Sequence, residues 1–291
     1  MRVWEPENQP KAVLQIVHGM AEHIDRYDGF ARYLNQNSIL VVGADHASHG
    51  KSISKNGIRG YFGAENGWDS LISDINSVHQ SIKQSYCALP NIMFGHSMGS
   101  FLARSYAARH GDDLDGFIFC GTAGKNPALP FAKILARHEM KKNGADVPSK
   151  LLDQLSFGAY NNAFKPNRTA FDWLSRDEVE VDKYIADPAC GFVFTAAGFR
   201  DLFDGLSEIS SRDWAARVPN KPILLIAGDD DPVGANGKGV KQVEKWLAQT
   251  GHSVRCILYP GARHELLNET NRAEVYEDVR SFIEEVCGNA L

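Results

Sequence analysis

The chain has 291 residues, of which 43% are hydrophobic and 23% are charged, and its formal net charge at pH 7 is −5. A chain of this length buries enough apolar surface to fold around its own core without disulfides or a structural metal. The mild negative charge and the lack of a Lys/Arg-rich block argue against nucleic acid or an anionic membrane as the main partner.

Apolar stretches are short throughout the sequence. The longest, such as 39–42 and 223–226, fall far below the ~18 residues that a membrane span requires. Residues 1–6 contain no apolar signal-peptide core. The five cysteines are scattered without a C-x-x-C pair, which disfavours a disulfide framework and a zinc cluster. The sequence therefore predicts a cytoplasmic protein that needs neither a cofactor nor a metal.

Short apolar runs alternate with helical patterns through both ends of the chain. This alternation is typical of βαβ units and predicts an α/β fold with a mostly parallel sheet. The predicted strands are 12–17, 39–44, 91–94, 116–120, 223–227 and 254–259, and the predicted helices are 27–35, 68–85, 98–109, 239–248 and 272–286.

The strand pattern stops between residues 122 and 218, where aromatic residues are frequent. Amphipathic patterns predict helices at 131–140, 150–159 and 196–206. Such an insertion can bury a small core of its own, or it can cap a pocket and line it with apolar side chains. We predict a core formed by 1–121 and 219–291, with 122–218 as a helical cap.

A G-x-S-x-G motif occurs at Gly95–Gly99 and places Ser97 between a predicted strand and a predicted helix. This context is typical of a nucleophile elbow, in which a tight turn exposes the serine hydroxyl. The glycines would let neighbouring backbone approach closely. A serine that merely caps the helix is the alternative.

A catalytic serine requires a histidine base that is oriented by a carboxylate, and in this fold class the chain order is serine, acid, histidine. Asp231 and His264 follow in that order, each directly after a predicted strand. Asp229 and Asp230 compete with Asp231, which we favour because the following proline fixes the turn.

Four further histidines, His18, His46, His49 and His96, also lie beside strand ends. We predict that they are structural hydrogen-bonding residues around the site, because all four precede the acid in the chain, whereas His264 follows it. A metal site of His18, His46, His49 and Asp45 is an alternative, although its spacing is not that of a helical metal motif.

The reaction also needs N–H donors for the developing oxyanion. One donor is expected on the residue after the nucleophile, Met98, and the second in the loop after the strand at 12–17. Within that loop, at 18–23, we predict that the second donor is the Met20 N–H.

These segments resemble one known group. His18-Gly19-Met20-Ala21-Glu22-His23, followed by Arg26-Tyr27, is similar to the H-G-x-x-E-H-x-x-R-Y segment of α/β-hydrolases of the monoacylglycerol lipase and bacterial lysophospholipase family. The segment 45–52 resembles its D-x-R-G-H-G-x-S, and 95–99, 228–233 and 263–265 resemble its elbow, acid and histidine segments.

The resemblance covers nearly the whole chain. It implies an α/β-hydrolase fold with Ser97, Asp231 and His264 as the triad, Met20 and Met98 as oxyanion donors, and a cap at about 122–218. Ala47 and Ser48 replace the family's usual Arg-Gly, and the first edge strand is expected to be short or absent.

We therefore expect a cofactor-free serine ester hydrolase whose partner is a small acyl ester, with monoacylglycerol or lysophospholipid as substrate and with transient contact between the cap and a membrane surface. An aminopeptidase of the same fold is the first alternative. It would need carboxylates in the cap, which could be Asp172, Asp177, Glu178, Glu180 and Asp182. A non-catalytic ligand-binding protein with this fold is the second alternative.

Overall fold

The centre of the molecule is a mostly parallel sheet of seven strands. A computed structural model describes residues 1–289. The strands of the sheet are β1 (Arg2–Trp4), β2 (Ala12–Val17), β3 (Ile39–Gly43), β4 (Asn91–His96), β5 (Gly116–Cys120), β6 (Ile223–Gly228) and β7 (Val254–Tyr259). They lie in the order β1-β3-β2-β4-β5-β6-β7. β1 pairs antiparallel with β3, and the remaining neighbours pair in parallel.

Helices cover both faces of this sheet. They are α1 (Asp28–Gln36), α2 (Gly67–Ser85), α3 (Met98–His110), α4 (Leu129–Asn143), α5 (Lys150–Phe157), α6 (Glu178–Ala186), α7 (Ala196–Ile209), α8 (Arg212–Ala215), α9 (Lys238–Gln249) and α10 (Arg272–Asn289). Within residues 1–289, no helix is both long and apolar enough to cross a membrane.

The alternation of side chains along β6 shows how the two faces are filled. Ile223, Leu225 and Ala227 belong to a hydrophobic cluster that contains residues of α2, α3, α7 and α9. Leu224 and Ile226 point the other way, into a cluster with residues of α1 and α10. Because both faces are covered, the central strands are apolar at nearly every position instead of at every second one.

The inserted helices share a core with the sheet. Phe194, Phe199, Phe203 and Trp214 are buried in the same cluster as side chains of α2 and α3. The buried face of α7 therefore belongs to the layer that covers the sheet, and these four aromatics do not form a separate core. The boundaries 1–121, 219–291 and 122–218 stay a prediction.

All six predicted strands and all eight predicted helices are present, with ends that shift by no more than three residues. Two helices, α6 and α8, were not predicted from the sequence, whereas β1 is the short first edge strand that the resemblance left open. β1 and α8 have three and four residues, too few for a periodic pattern. In α6, the alternation Glu178-Val179-Glu180-Val181 obscures the helical spacing of buried Val181 and Tyr184.

Leu225 is fully buried in β6, and its replacement by alanine would leave a cavity between the sheet and the helices that cover this face. We expect Leu225→Ala to lower the free energy of unfolding by about 2–5 kcal/mol. Leu155→Ala on α5 is the matched control, because Leu155 is 63% exposed and should change stability by less than about 0.5 kcal/mol. Urea unfolding followed by circular dichroism measures both, and equal losses would contradict the described packing.

Candidate active site

Ser97 lies in a sharp turn between β4 and α3. Its backbone has φ 53° and ψ −123°, a strained conformation for a residue with a side chain. Glycine is required on either side, because a Cβ on Gly95 would lie 2.3 Å from the Gly99 carbonyl oxygen, and one on Gly99 would lie 2.0 Å from the Val17 carbonyl oxygen. The turn therefore presents the half-buried Ser97 side chain at the carboxyl end of the sheet.

The two predicted partners of Ser97 come from the ends of neighbouring strands. His264 follows β7, and its Nε2 lies 2.8 Å from Ser97 Oγ. Asp231 follows β6, and its Oδ2 lies 2.9 Å from His264 Nδ1. The other carboxylate oxygen, Oδ1, accepts a hydrogen bond from the Val233 N–H at 2.9 Å. The structure thus brings together Ser97, His264 and Asp231 in one hydrogen-bonded series.

Two opposing effects determine the protonation of His264. Burial favours the neutral ring, but the charge of Asp231 and its hydrogen bond to Nδ1 favour the charged ring and outweigh it, so that the pKa of His264 is raised above its ordinary value. The His96 ring lies 4.9 Å away, and burial lowers its pKa to about 4. His264 is therefore the ring that gains a proton most readily here.

The two competing aspartates have other surroundings. Asp229 Oδ1 accepts a hydrogen bond from the Gly261 N–H at 2.6 Å, so this carboxylate ties the loop after β6 to the loop after β7. Asp230 is exposed. Asp231 is fully buried against the His264 ring.

His18 and His46 join the two loops that follow β2 and β3. His18 Nδ1 donates to the Gly19 carbonyl at 2.8 Å, and its Nε2 accepts from the His46 N–H at 3.0 Å. His46 Nε2 donates back to the His18 carbonyl at 2.9 Å. Burial lowers the pKa of both rings, so they act as neutral links between loops.

His49 supports the loop after β2. Its Nε2 accepts a hydrogen bond from the Ala21 N–H at 3.2 Å, and its Nδ1 donates to the Ala47 carbonyl at 3.1 Å. Burial lowers the pKa of His49 to about 3. The neutral ring thus stabilises Ala21, whose φ is 52°.

The predicted oxyanion donors lie on two segments that meet beside Ser97. A Cβ on Gly19 would lie 3.3 Å from Ser97 Cβ, so the loop 18–23 passes directly over the nucleophile. Within that loop, the Gly19 N–H donates to Glu22 and the Ala21 N–H donates to His49, while Met20 lies between them. Met98 is the first residue of α3, where N–H groups have no intrahelical acceptor.

A buried ion network connects this loop to the histidine loop, and sequence reasoning gave it no role. Arg26 donates to both Glu265 oxygens at 2.7 and 2.6 Å and to Glu22 at 2.7 Å. Burial would raise the pKa of Glu265, but the charge and hydrogen bonds of Arg26 lower it to about 2. Because Glu265 follows His264 and Glu22 bonds Gly19, Arg26 fixes both loops relative to each other.

A row of half-buried aromatic side chains from the inserted segment begins beside His264. The Trp173 ring lies 5.2 Å from the His264 ring, and Tyr160 lies 5.1 Å from Trp173. Phe157 follows at 5.7 Å from Tyr160 and lies 6.2 Å from Phe199. These rings form a continuous apolar series beside the nucleophile.

The carboxylates that an aminopeptidase would need in this segment have partners within the protein. Asp172 accepts hydrogen bonds from the backbone of Arg168 and Thr169. Asp177 caps α6 and pairs with Arg272. The remaining three form ion pairs, namely Glu178 and Asp182 with Arg168, and Glu180 with Lys183.

A mostly parallel sheet that carries a serine elbow, an aspartate and a histidine at its strand ends, in that chain order, defines an α/β-hydrolase. The family model described as serine aminopeptidase, S33 matches residues 8–271. The chain belongs to this family, and its relatives support a serine ester hydrolase of the monoglyceride lipase group.

Two curated relatives and two solved structures illustrate the similarity. Monoacylglycerol lipase from Mycolicibacterium smegmatis is 29% identical over 97% of this chain and 91% of its own length. Human monoglyceride lipase is 27% identical over 99% and 88%. A carboxyl esterase from Bacillus coagulans has 34% identity and a TM-score of 0.93 over 98% and 93%. Monoglyceride lipase from Saccharomyces cerevisiae shares the fold, with 18% identity and a TM-score of 0.76 over 98% and 90%.

Because the Asp231 carboxylate raises the pKa of His264, Asp231→Asn should lower it, leaving the opposing effect of burial. The imidazole resonances followed by NMR during a pH titration measure this shift. Asp229→Asn is the matched control, because an asparagine oxygen can still accept the hydrogen bond from the Gly261 N–H. This variant also removes a negative charge, but from a carboxylate that is not hydrogen-bonded to His264. An equal shift in both variants would contradict the assignment of Asp231 as the partner.

Proposed function

We propose that the chain hydrolyses monoacylglycerols or lysophospholipids through a Ser97-His264-Asp231 triad and an acyl-enzyme intermediate. The observation that carries this proposal is the hydrogen-bonded series from Ser97 Oγ through the His264 ring to Asp231 Oδ2, with distances of 2.8 and 2.9 Å. A serine hydroxyl is a weak nucleophile unless a base is placed in this way.

In the proposed first half-reaction, His264 Nε2 accepts the Ser97 proton while Oγ attacks the ester carbonyl carbon. The imidazolium is stabilised by Asp231 and then gives its proton to the departing alcohol. In the second half-reaction, His264 takes a proton from water, the hydroxide oxygen attacks the acyl-enzyme, and the fatty acid leaves as Ser97 regains its proton.

The N–H groups of Met20 and Met98 are proposed to hold the negative oxygen of both tetrahedral intermediates. Each preorganised donor of this kind contributes about 3–4 kcal/mol to transition-state stabilisation. Support comes from the close approach of the loop 18–23 to Ser97 and from the supports given to that loop by His49 and Arg26.

The substrate assignment is based on the inserted segment, which we propose as the cap over the site. Its half-buried Trp173, Tyr160 and Phe157 form an apolar series next to His264, as an acyl chain requires. Relatives named monoacylglycerol lipase and monoglyceride lipase match almost the whole chain, which favours an acylglycerol headgroup.

We further propose that the cap contacts the lipid aggregate that supplies this substrate. On α4, Phe131 and Ile134 are 67% and 65% exposed, and on α5, Leu151 and Leu155 are 47% and 63% exposed. Apolar side chains at helical spacing on the surface are suited to shallow insertion into a lipid interface. Because the chain carries a net charge of −5, a zwitterionic surface suits this contact better than an anionic one.

Ser97→Ala should lower kcat/KM for long-chain 4-nitrophenyl esters by roughly 10⁴-fold or more, because it removes the nucleophile. A fluorophosphonate probe should label the wild-type chain on the Ser97 peptide and should not label the variant, as read by mass spectrometry. Ser77→Ala is the control, since its hydroxyl lies on the exposed face of α2.

Retained hydrolysis in Ser97→Ala would overturn the triad. Failure of the probe to label the wild type would favour a binding protein over an enzyme that uses Ser97. An acyl-ester panel read by mass spectrometry separates monoacylglycerols from lysophospholipids, and faster cleavage of amino-acyl 4-nitroanilides than of any acyl ester would favour the aminopeptidase.

The double variant Phe131→Ser/Leu155→Ser should weaken binding to phosphatidylcholine vesicles by at least roughly tenfold, because two apolar side chains no longer leave water on binding. Cosedimentation measures the binding, and hydrolysis of a short soluble ester should be unchanged. Val179→Ser on α6 is the matched control, with 61% exposure of the original side chain. Equal vesicle binding by the double variant and the wild type would exclude this surface.

A further inference from the structure

Three side chains with metal-ligating atoms meet where the cap touches the loop after β2. His23 belongs to that loop, and Asp187 and Cys190 lie in the turn that follows α6. One potential ligand atom from each of the three residues lies within 4.8 Å of the other two. Within residues 1–289, no other set of three His, Cys, Asp or Glu residues meets this distance. The pair His23 Nε2 and Asp187 Oδ2 is already at 2.8 Å.

The turn holds the two cap residues in a fixed arrangement. The Cys190 N–H donates to the Asp187 carbonyl at 3.0 Å, and the Ala189 N–H donates to Asp187 Oδ1 at 2.8 Å. These bonds leave Asp187 Oδ2 directed at His23, with Cys190 on the same side of the turn. The three side chains are half-buried, so their donors are partly shielded from water and still accessible from it.

The electrostatic surroundings favour a cation. Cys190 interacts electrostatically with four charged side chains, namely Arg26, Glu22, Asp187 and Glu265. The positive charge of Arg26 is already paired, because its guanidinium donates hydrogen bonds to Glu22 and Glu265. A second guanidinium, that of Arg59, donates to the Pro188 carbonyl in the same turn. Three carboxylates therefore face two guanidinium groups, and the remaining negative charge would stabilise a divalent ion.

We propose that His23, Asp187 and Cys190 bind Zn²⁺ or a similar borderline-soft divalent cation, which joins the turn 187–190 after α6 (the cap turn) to the loop 18–23. Imidazole, carboxylate and thiolate are the ligands that Zn²⁺ takes in proteins, and three protein ligands leave a fourth tetrahedral position for water. The sulfur ligand selects against Mg²⁺ and Ca²⁺.

Binding exchanges a proton for the metal. The Cys190 thiol loses its proton to solvent, and the sulfur forms a bond to the cation. The proton on His23 Nε2 moves through solvent to Nδ1, so that the neutral ring offers Nε2 to the cation in place of its hydrogen bond to Asp187. Because the thiolate is the ligand and the thiol is not, the cation must compete with the proton, and its affinity should rise with pH.

The location gives the ion a structural effect. The Gly191 N–H and the Tyr184 hydroxyl both donate to the Ala21 carbonyl, at 2.9 and 3.1 Å, so the cap turn already contacts the residue next to Met20. A metal bound by His23 and by two residues of the turn would add strong bonds across the same contact. It would resist separation of the cap from the loop that approaches Ser97.

Titration of the metal-free chain with Co²⁺, a spectroscopic substitute for Zn²⁺, tests the site. We expect one equivalent to produce tetrahedral visible bands and a thiolate-to-cobalt charge-transfer band, both displaced by Zn²⁺. Cys190→Ser should remove the charge-transfer band, and His23→Gln should weaken Co²⁺ binding by more than roughly 100-fold, since even changes outside the ligand set cost 10–100-fold. Cys87→Ser, at an exposed cysteine, is the matched control and should bind as the wild type does.

Thermal unfolding provides a second readout. Zn²⁺ should raise the melting temperature of the wild type and of Cys87→Ser, and it should leave that of Cys190→Ser unchanged. A charge-transfer band that persists in Cys190→Ser, or that fails to form in the wild type, would overturn the proposal. In that case His23 and Asp187 form only the hydrogen bond that joins the two segments.

Discussion

The close approach of α3 to the backbone of β2 is the constraint from which the site follows. At Gly99 the helix lies so near the Val17 carbonyl that a Cβ would be only 2.0 Å away. Two residues before this contact, the chain makes the sharp turn at Ser97, whose φ is 53°. It also brings the loop that leaves β2 over the nucleophile. The serine, the two predicted oxyanion donors and the start of α3 are thus positioned by one backbone contact.

Two buried charge systems lie next to each other at residues 264 and 265. Asp231 favours a proton on His264, whereas Arg26 keeps Glu265 ionised with a pKa of about 2. The Arg26–Glu265 pair affects the Asp231–His264 pair, because a Glu265 carboxylate without Arg26 would raise the pKa of His264 further. A smaller fraction of His264 would then be the neutral base at a given pH. The Arg26 network therefore fixes loop geometry and also limits the charge around the base.

Much of this architecture was predictable from local patterns. The strand-turn-helix context of Ser97 and the order of Asp231 and His264 were sufficient to choose three side chains that the structure places in one hydrogen-bonded series. The partner of Arg26 was not predictable, because Glu265 is 239 residues away in the chain and no periodicity relates the two. The directions of Phe199 and Trp173 were equally inaccessible, since aromatic frequency alone does not say which ring faces the core.

The shared core of α7 limits how this protein can diversify. Because Phe199 and Phe203 pack in one cluster with α2 and α3, replacing the whole segment between β5 and β6 would expose the helices that cover the sheet. α4 and α5 also belong to this cluster through Leu129, Ala136 and Leu152, whereas the buried residues of α6, Val181 and Tyr184, lie outside it. The insertion is therefore free to change at α6, while α4, α5 and α7 are inherited with the sheet.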